Sequence, residues 1–233
     1  MSDSIGKPSN STPEPTTSSR DRLLEVAERL FMERGYSVIK LRDVADELGV
    51  RVASLYYHFP GGKQDLFTAV LERAMARMRH GLEDAIAHAG DSVLEQLCAA
   101  GRYFLTQHKI DVYRMLESDL DEIEADSRAA IESTVYQSLM MPLVRVFAQS
   151  IASDSTAAPG PRDTPGVPPA YGTFPPHAPL LAGSYLSIVQ AIHHLPNEFG
   201  SPIPKDHMVE YMATLLVRGL EAGADSTDSA SDT

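Results

Sequence analysis

Cysteine, tryptophan, long apolar runs and positive charge are all scarce in this chain, and each shortage excludes something. A single cysteine, Cys98, rules out an intrachain disulfide and points to a reducing compartment. On an Ala-rich helical stretch it reads as a small buried hydrophobe rather than a redox sensor. No apolar run approaches the roughly 18–20 residues of a membrane span. The first residues lack the charged and apolar regions of a secretion signal. A soluble, cytoplasmic chain without membrane contact is expected. Alternating strand patterns and internal repeats are lacking as well, so the expected fold is all-α.

Basic residues number 20 against 32 acidic ones, a net charge of −12. Spread evenly, that balance would oppose nucleic-acid binding, but it is not even. Residues 20–66 hold eight Lys/Arg and eight Asp/Glu, whereas residues 67–152 hold eight against thirteen and residues 153–233 three against nine. The excess negative charge lies outside the first third of the chain, and an interface depends on local charge.

Residues 1–18 are rich in Ser, Thr and Pro and read as a disordered tail. From Arg20, an apolar stripe of Leu23, Leu24, Ala27, Leu30 and Phe31 predicts a helix closed by Gly35. Leu41, Val44, Ala45 and Leu48 predict a short second helix ending at Gly49, and Leu55 and Phe59 the inner face of a third. A glycine-hinged helix pair with small, aromatic and cationic residues outside is what a helix-turn-helix presents to a DNA major groove.

A long helix is expected from Lys63 to about His88, able to join the small bundle to a larger body as a rigid lever. Further helices are expected over about 91–107, 111–120, 127–152, 180–195 and 206–221, about nine in all. Pro142 should kink or break the helix expected over 127–152 near Met141. Eight prolines between 153 and 179 read as a flexible loop. The stretch 222–233 reads as a disordered acidic tail. The acidic run Asp119, Asp121, Glu122, Glu124 and Asp126 reads as a solvated face. His193 and His194, near Glu198, with His108 and His177 elsewhere, fit no zinc-ligand spacing, so no metal and no cofactor are expected.

The motif from Ala27, Leu30, Phe31, Glu33 and Gly35-Tyr36 through Asp43-Val44-Ala45, Leu48-Gly49-Val50, Leu55-Tyr56-Tyr57-His58-Phe59 and Lys63 resembles the TetR family of transcriptional repressors. The likeness covers about Arg20 to Phe67. Three features depart from the family's commoner pattern: the run Arg51-Val52-Ala53-Ser54, the extra residue in Pro60-Gly61-Gly62, and the long Pro-rich insertion. The Pro-Gly-Gly form resembles the LmrA/YxaF-related branch.

The resemblance implies a DNA-binding domain over 19–66 and an effector-binding and dimerisation domain over 67–221. It also implies DNA contact by Arg42, Arg51, Val52, Ala53, Ser54, Tyr56, Tyr57, His58 and Lys63. Arg51 could fork onto guanine, and Val52 and Ala53 could only pack on thymine methyls. The tyrosines, His58 and Lys63 would clamp phosphates. Because Leu55 and Phe59 take the inward positions, Tyr56 is expected outside and Tyr57 only partly so. Effector-lining candidates are Met75, Met78, Tyr103, Phe104, Tyr113, Met115, Tyr136, Met140, Met141 and Tyr185, although most of them taken singly read as ordinary core.

The expected partners are a double-stranded operator, a small, mostly apolar effector, and a second copy paired through the last two helices. The competing readings are a ligand-binding all-α protein and an enzyme, both without DNA binding. For the enzyme, the sequence offers no nucleophile–base pair, metal-ligand spacing or phosphate loop.

Overall fold

The computed structural model describes residues 19–107, 125–154, 174–175, 177–195 and 203–228. All regular structure among them is helical. The chain divides into two compact units, Met1–Val70 and Leu71–Thr233.

The first unit begins with α1 (Ser19–Arg34), which buries Leu23, Leu24, Ala27, Leu30 and Phe31. Gly35 ends it at φ 85°, with its N–H on the Phe31 carbonyl at 2.9 Å. That left-handed conformation favours a residue without Cβ. The chain then tucks in Tyr36 and Ile39, both buried. Phe31, Tyr36 and Phe67 form an aromatic cluster with centroids 4.5–5.9 Å apart. Helix α2 (Leu41–Leu48) starts where the Asp43 carboxylate accepts the Lys40 N–H at 2.8 Å. It stops at Gly49, φ 67°. There Val50 N–H reaches the Ala45 carbonyl at 3.0 Å and Gly49 N–H the Asp46 carbonyl at 3.2 Å, a Schellman closure.

Helix α3 (Val52–His58) buries Leu55, and Phe59 behind it is buried too. A turn across Pro60 and Gly61, closed by Gly62 N–H on the Phe59 carbonyl at 2.9 Å, leads into α4 (Lys63–Ala87). Gly62 sits buried at φ 74°, and a Cβ there would lie 3.5 Å from the ring of Tyr56. The first residues of α4, Leu66, Phe67 and Val70, complete the core of this unit.

In the second unit, α4 continues with Met75, Met78 and Leu82 buried. Helix α5 (Val93–Thr106) opens on a capping box. Ser92 Oγ accepts the Glu95 N–H at 3.2 Å, and the Glu95 carboxylate accepts the Ser92 N–H at 3.3 Å and its hydroxyl at 2.6 Å. Those bonds hold the Glu95 carboxyl below its ordinary range. Helix α6 (Ala125–Val135) passes into a π-helical turn, Tyr136–Met140, and then α7 (Met141–Asp154). The interruption expected at Pro142 therefore takes the form of a π segment. Proline has no N–H and its ring crowds the carbonyl four residues back, so widening the preceding turn accommodates it. Helices α8 (His177–His194) and α9 (Lys205–Asp228) follow.

Helix α5 lies against α7, α8 and α9, and α8 against α7 and α9. Tyr185 on α8 is fully buried and its hydroxyl donates to the Leu97 carbonyl of α5 at 2.5 Å. Gly101, one turn along α5, is what lets that hydroxyl approach. Cys98 beside it is buried and its thiol is pushed up by desolvation.

Two boundaries are corrected. The loop expected over 153–179 is shorter at both ends, because α7 runs to Asp154 and α8 begins at His177. Pro179 falls in the first turn of α8, where its missing N–H has no intrahelical partner to lose. The tail expected to be disordered from 222 is helical to Asp228, since adding residues to an existing helix costs little. The residues 1–18, the helix expected over 111–120, the acidic run from Asp119 to Glu124, and His108 and Glu198 lie outside the described residues, as do the side chain of Asp126 and residues 155–173 and 229–233.

Candidate nucleic-acid interface

Val44, Ala45, Leu55 and Phe59 are buried, and α3 leaves Ala53, Ser54, Tyr56 and Tyr57 exposed. Arg51 is its N-cap residue, in extended backbone (φ −80°, ψ 143°), and its exposed side chain makes no capping bond. Among the described residues no ion pair holds it. Arg42, by contrast, pairs with Asp46 one turn on at 3.6 Å. Such an exposed i,i+4 pair is weak, but Arg42 must leave it to reach DNA. Val52 is half-buried, whereas Ala53 and Ser54 are exposed.

The expectation for the tyrosines is corrected. Tyr57 is 83% exposed and Tyr56 51%. Position 57 is two residues from inward Leu55 and so falls across the helix from it, while Tyr56 leans on the turn at Gly62. His58 is half-buried, its ring 5.2 Å from that of Tyr57.

Lys63 is placed by its own unit. Its ammonium lies 4.1 Å from the centroid of Tyr36 and donates to the Ser37 carbonyl at 3.3 Å. Gly61 N–H is accepted by the Asp65 carboxylate at 2.5 Å, which anchors the turn before it. Arg20, not singled out in the sequence, stands 5.3 Å over the ring of Phe59. Nothing in its spacing signals that contact, because the two residues are far apart in the chain. A second link, Arg29 to Glu47 at 2.6 Å, ties α1 to α2. The Glu47 and Glu33 carboxylates raise the Arg29 guanidinium above its ordinary range.

Residues 23–70 match the family model for bacterial regulatory proteins of the tetR family. Over these residues the chain is similar to the DNA-binding domain of tetR-family regulators. The HTH-type transcriptional regulator LmrA of Bacillus subtilis is 36% identical over 73 residues, which is 31% of this chain and 39% of LmrA. The chain thus spans well under two thirds of that relative. A TetR transcriptional regulator from Legionella pneumophila shares the fold with a TM-score of 0.58 at 19% identity, over 92% of this chain and 99% of its own. AibR, solved in complex with isovaleryl coenzyme A and operator DNA, does so with a TM-score of 0.58 at 18% identity, over 85% and 97%. The all-α architecture, a helix-turn-helix followed by a helical unit, is therefore that of TetR-type proteins.

The effector candidates of the second unit separate into two groups. Met75, Met78, Phe104, Met141 and Tyr185 are buried. Tyr185 also commits its hydroxyl to Leu97, and desolvation drives its phenol far above the ordinary range. Tyr103, Tyr136 and Met140 are half-buried. Met140 lies near Gly183, where a Cβ would be 3.5 Å from its methyl. Tyr103 rests on Gly81 of α4, and burial raises its phenol. Tyr113 and Met115 lie outside the described residues. Among those described, no group of three His, Cys, Asp or Glu side chains is set to hold a metal. No described helix is long and apolar enough to cross a membrane.

Proposed function

We propose that this protein is a transcriptional repressor of the cytoplasm that binds a palindromic operator as a homodimer and leaves it on binding a small, mostly apolar effector. The observation that carries the reading is the outward face of α3, with Arg51 unpaired by any described carboxylate at the entry of a TetR-type recognition helix. Arg51 and Arg42 supply hydrogen-bonded base contacts; Val52 and Ala53 supply shape; Ser54, Tyr56, Tyr57, His58 and Lys63 hold the backbone.

A two-fold dimer matches a two-fold operator. Helix α8 supports pairing with a copy: its outward positions Leu180, Ser184, Ser187 and Ala191, with Leu195 just past its end, carry no charge. Leu180 is 67% exposed, and Tyr211 and Leu215 of α9 are exposed as well. That AibR was solved with both a coenzyme A thioester and operator DNA supports an effector in the second unit, where Met75, Met78, Tyr103, Phe104, Tyr113, Met115, Tyr136, Met140, Met141 and Tyr185 are the proposed lining. The effector must favour one state of the protein over another, or it shifts nothing.

A gel shift of the full chain on the DNA upstream of its own coding sequence, with and without apolar ligands, tests this. A retarded band released by one ligand class is expected; no retarded duplex, or a monomer in sedimentation at concentrations that bind DNA, contradicts it. Lys63→Ala is expected to weaken all duplexes alike and lower the salt slope of binding by about one per head. An unchanged slope would leave Lys63 only its structural place between Tyr36 and Ser37.

A further inference from the structure

An arginine stands three residues before a serine or threonine at two places in the chain, Arg34–Ser37 and Arg51–Ser54. The two places differ in what surrounds the serine. Ser54 lies within α3, and Leu55 beside it is fully buried. Ser37 lies in the turn between α1 and α2, where buried Tyr36 and Ile39 pin the chain on either side and leave Ser37 and Val38 exposed. Val38 is 63% exposed, more than Met32, Val50 or Tyr56. Arg34 is exposed as well. It is the last residue of α1, ahead of Gly35 at φ 85°, so it can leave the helix at little cost. Cations gather here without acids: Arg34, Lys40 and Arg42 are present and no carboxylate occurs from Arg34 to Arg42. The Lys63 ammonium joins them, 3.3 Å from the Ser37 carbonyl oxygen.

An exposed serine in a turn, with an arginine before it and an exposed apolar residue after it, suits a kinase cleft lined by carboxylates. Those carboxylates fork onto the guanidinium, and an apolar pocket takes the following side chain. We propose that Ser37 is a phosphorylation site for an arginine-directed serine kinase, and that the phosphate releases the protein from DNA. The Ser37 Oγ–P bond forms and the bond from the γ-phosphorus of ATP to its β-phosphate oxygen breaks. ADP leaves with that electron pair, and the hydroxyl proton passes to the kinase's carboxylate base. A phosphoserine carries about −1.5 to −2 charge. At residue 37 it holds the Lys63 ammonium and repels the DNA phosphates that Lys63 would otherwise contact. The release rests on the DNA-binding reading above; the modification does not.

The test treats the folded full chain with ATP and the catalytic domain of an arginine-directed serine kinase, and maps the phosphate by mass spectrometry of its peptides. A single phosphate on Ser37 is expected. Ser37→Ala should take none, and Arg34→Ala should lower kcat/KM for the transfer by roughly tenfold. Both variants should melt with the wild type. Fluorescence anisotropy follows, on a duplex that the unmodified chain selects from a random-sequence pool. Treatment should weaken binding by about tenfold per head, a loss that shrinks as salt rises. Ser37→Ala carried through the same treatment should keep its affinity. Phosphate on Ser54 instead, or none on the folded chain, overturns the site. Phosphate on Ser37 with affinity unchanged overturns the release. A chain that takes phosphate on Ser37 but, unmodified, selects no duplex overturns the DNA-binding reading and the release together, while the site stands.

Discussion

Arg51→Ala is expected to abolish sequence-specific DNA binding while leaving the fold intact. A guanidinium forked onto a guanine edge is worth about 1–3 kcal/mol per half-site, so the loss is roughly 5- to 150-fold for each half-site and compounds across a dimer. The protein should melt at the wild-type temperature, because the Arg51 side chain makes no capping bond and stands exposed. Arg51→Lys keeps the charge but not the planar fork, so it should retain non-specific binding and lose discrimination. Arg42→Ala should have a smaller effect, since Arg42 must first leave Asp46. Anisotropy titrations of specific and scrambled duplexes at one salt concentration distinguish these outcomes. Equal losses on both duplexes for Arg51→Ala would assign it to the backbone instead.

Gly101→Ala is expected to destabilise the second unit by about 2–4 kcal/mol and lower its melting temperature by roughly 5–15 °C. A Cβ at this position would lie 2.5 Å from the Tyr185 hydroxyl and still closer to a methyl of Val209. Neither neighbour can move aside, because both are fully buried. The hydroxyl would be driven off the Leu97 carbonyl, so the overpacking adds to the loss of a buried hydrogen bond. Two other helical glycines provide contrast. Gly81→Ala also meets an aromatic side chain, Tyr103, but that ring is half-exposed and can swing away at lower cost. Gly219→Ala meets nothing within 4 Å and should stabilise α9 slightly. Thermal melts of the three variants should rank them Gly101, Gly81, Gly219, from least to most stable. A wild-type melting curve for Gly101→Ala would contradict the packing described.

Much of the first unit was legible in the sequence. Local chemistry decides it: glycines at 35 and 49 where the chain turns left-handed, inward residues at helical spacing, and a motif with fixed offsets. The same logic identified Pro142 as the interruption of a helix. It misjudged helix ends, at 154, 177 and 228, because propensity and first-turn tolerance outweighed the appearance of a loop in Pro- and acid-rich stretches.

By itself, then, the sequence determined the helical class, the helix-turn-helix and its kinship to TetR-type regulators, all of which follow from periodicity and residue order within about 50 positions. Only the tertiary structure decided which side of each helix faces outward and what each polar group finds there. That is why Tyr57 rather than Tyr56 is the more exposed ring, why Lys63 rests on Tyr36, and why the Tyr185 hydroxyl reaches Leu97 over Gly101. Those contacts join residues as many as 88 positions apart, and no local pattern records a partner brought near by packing alone.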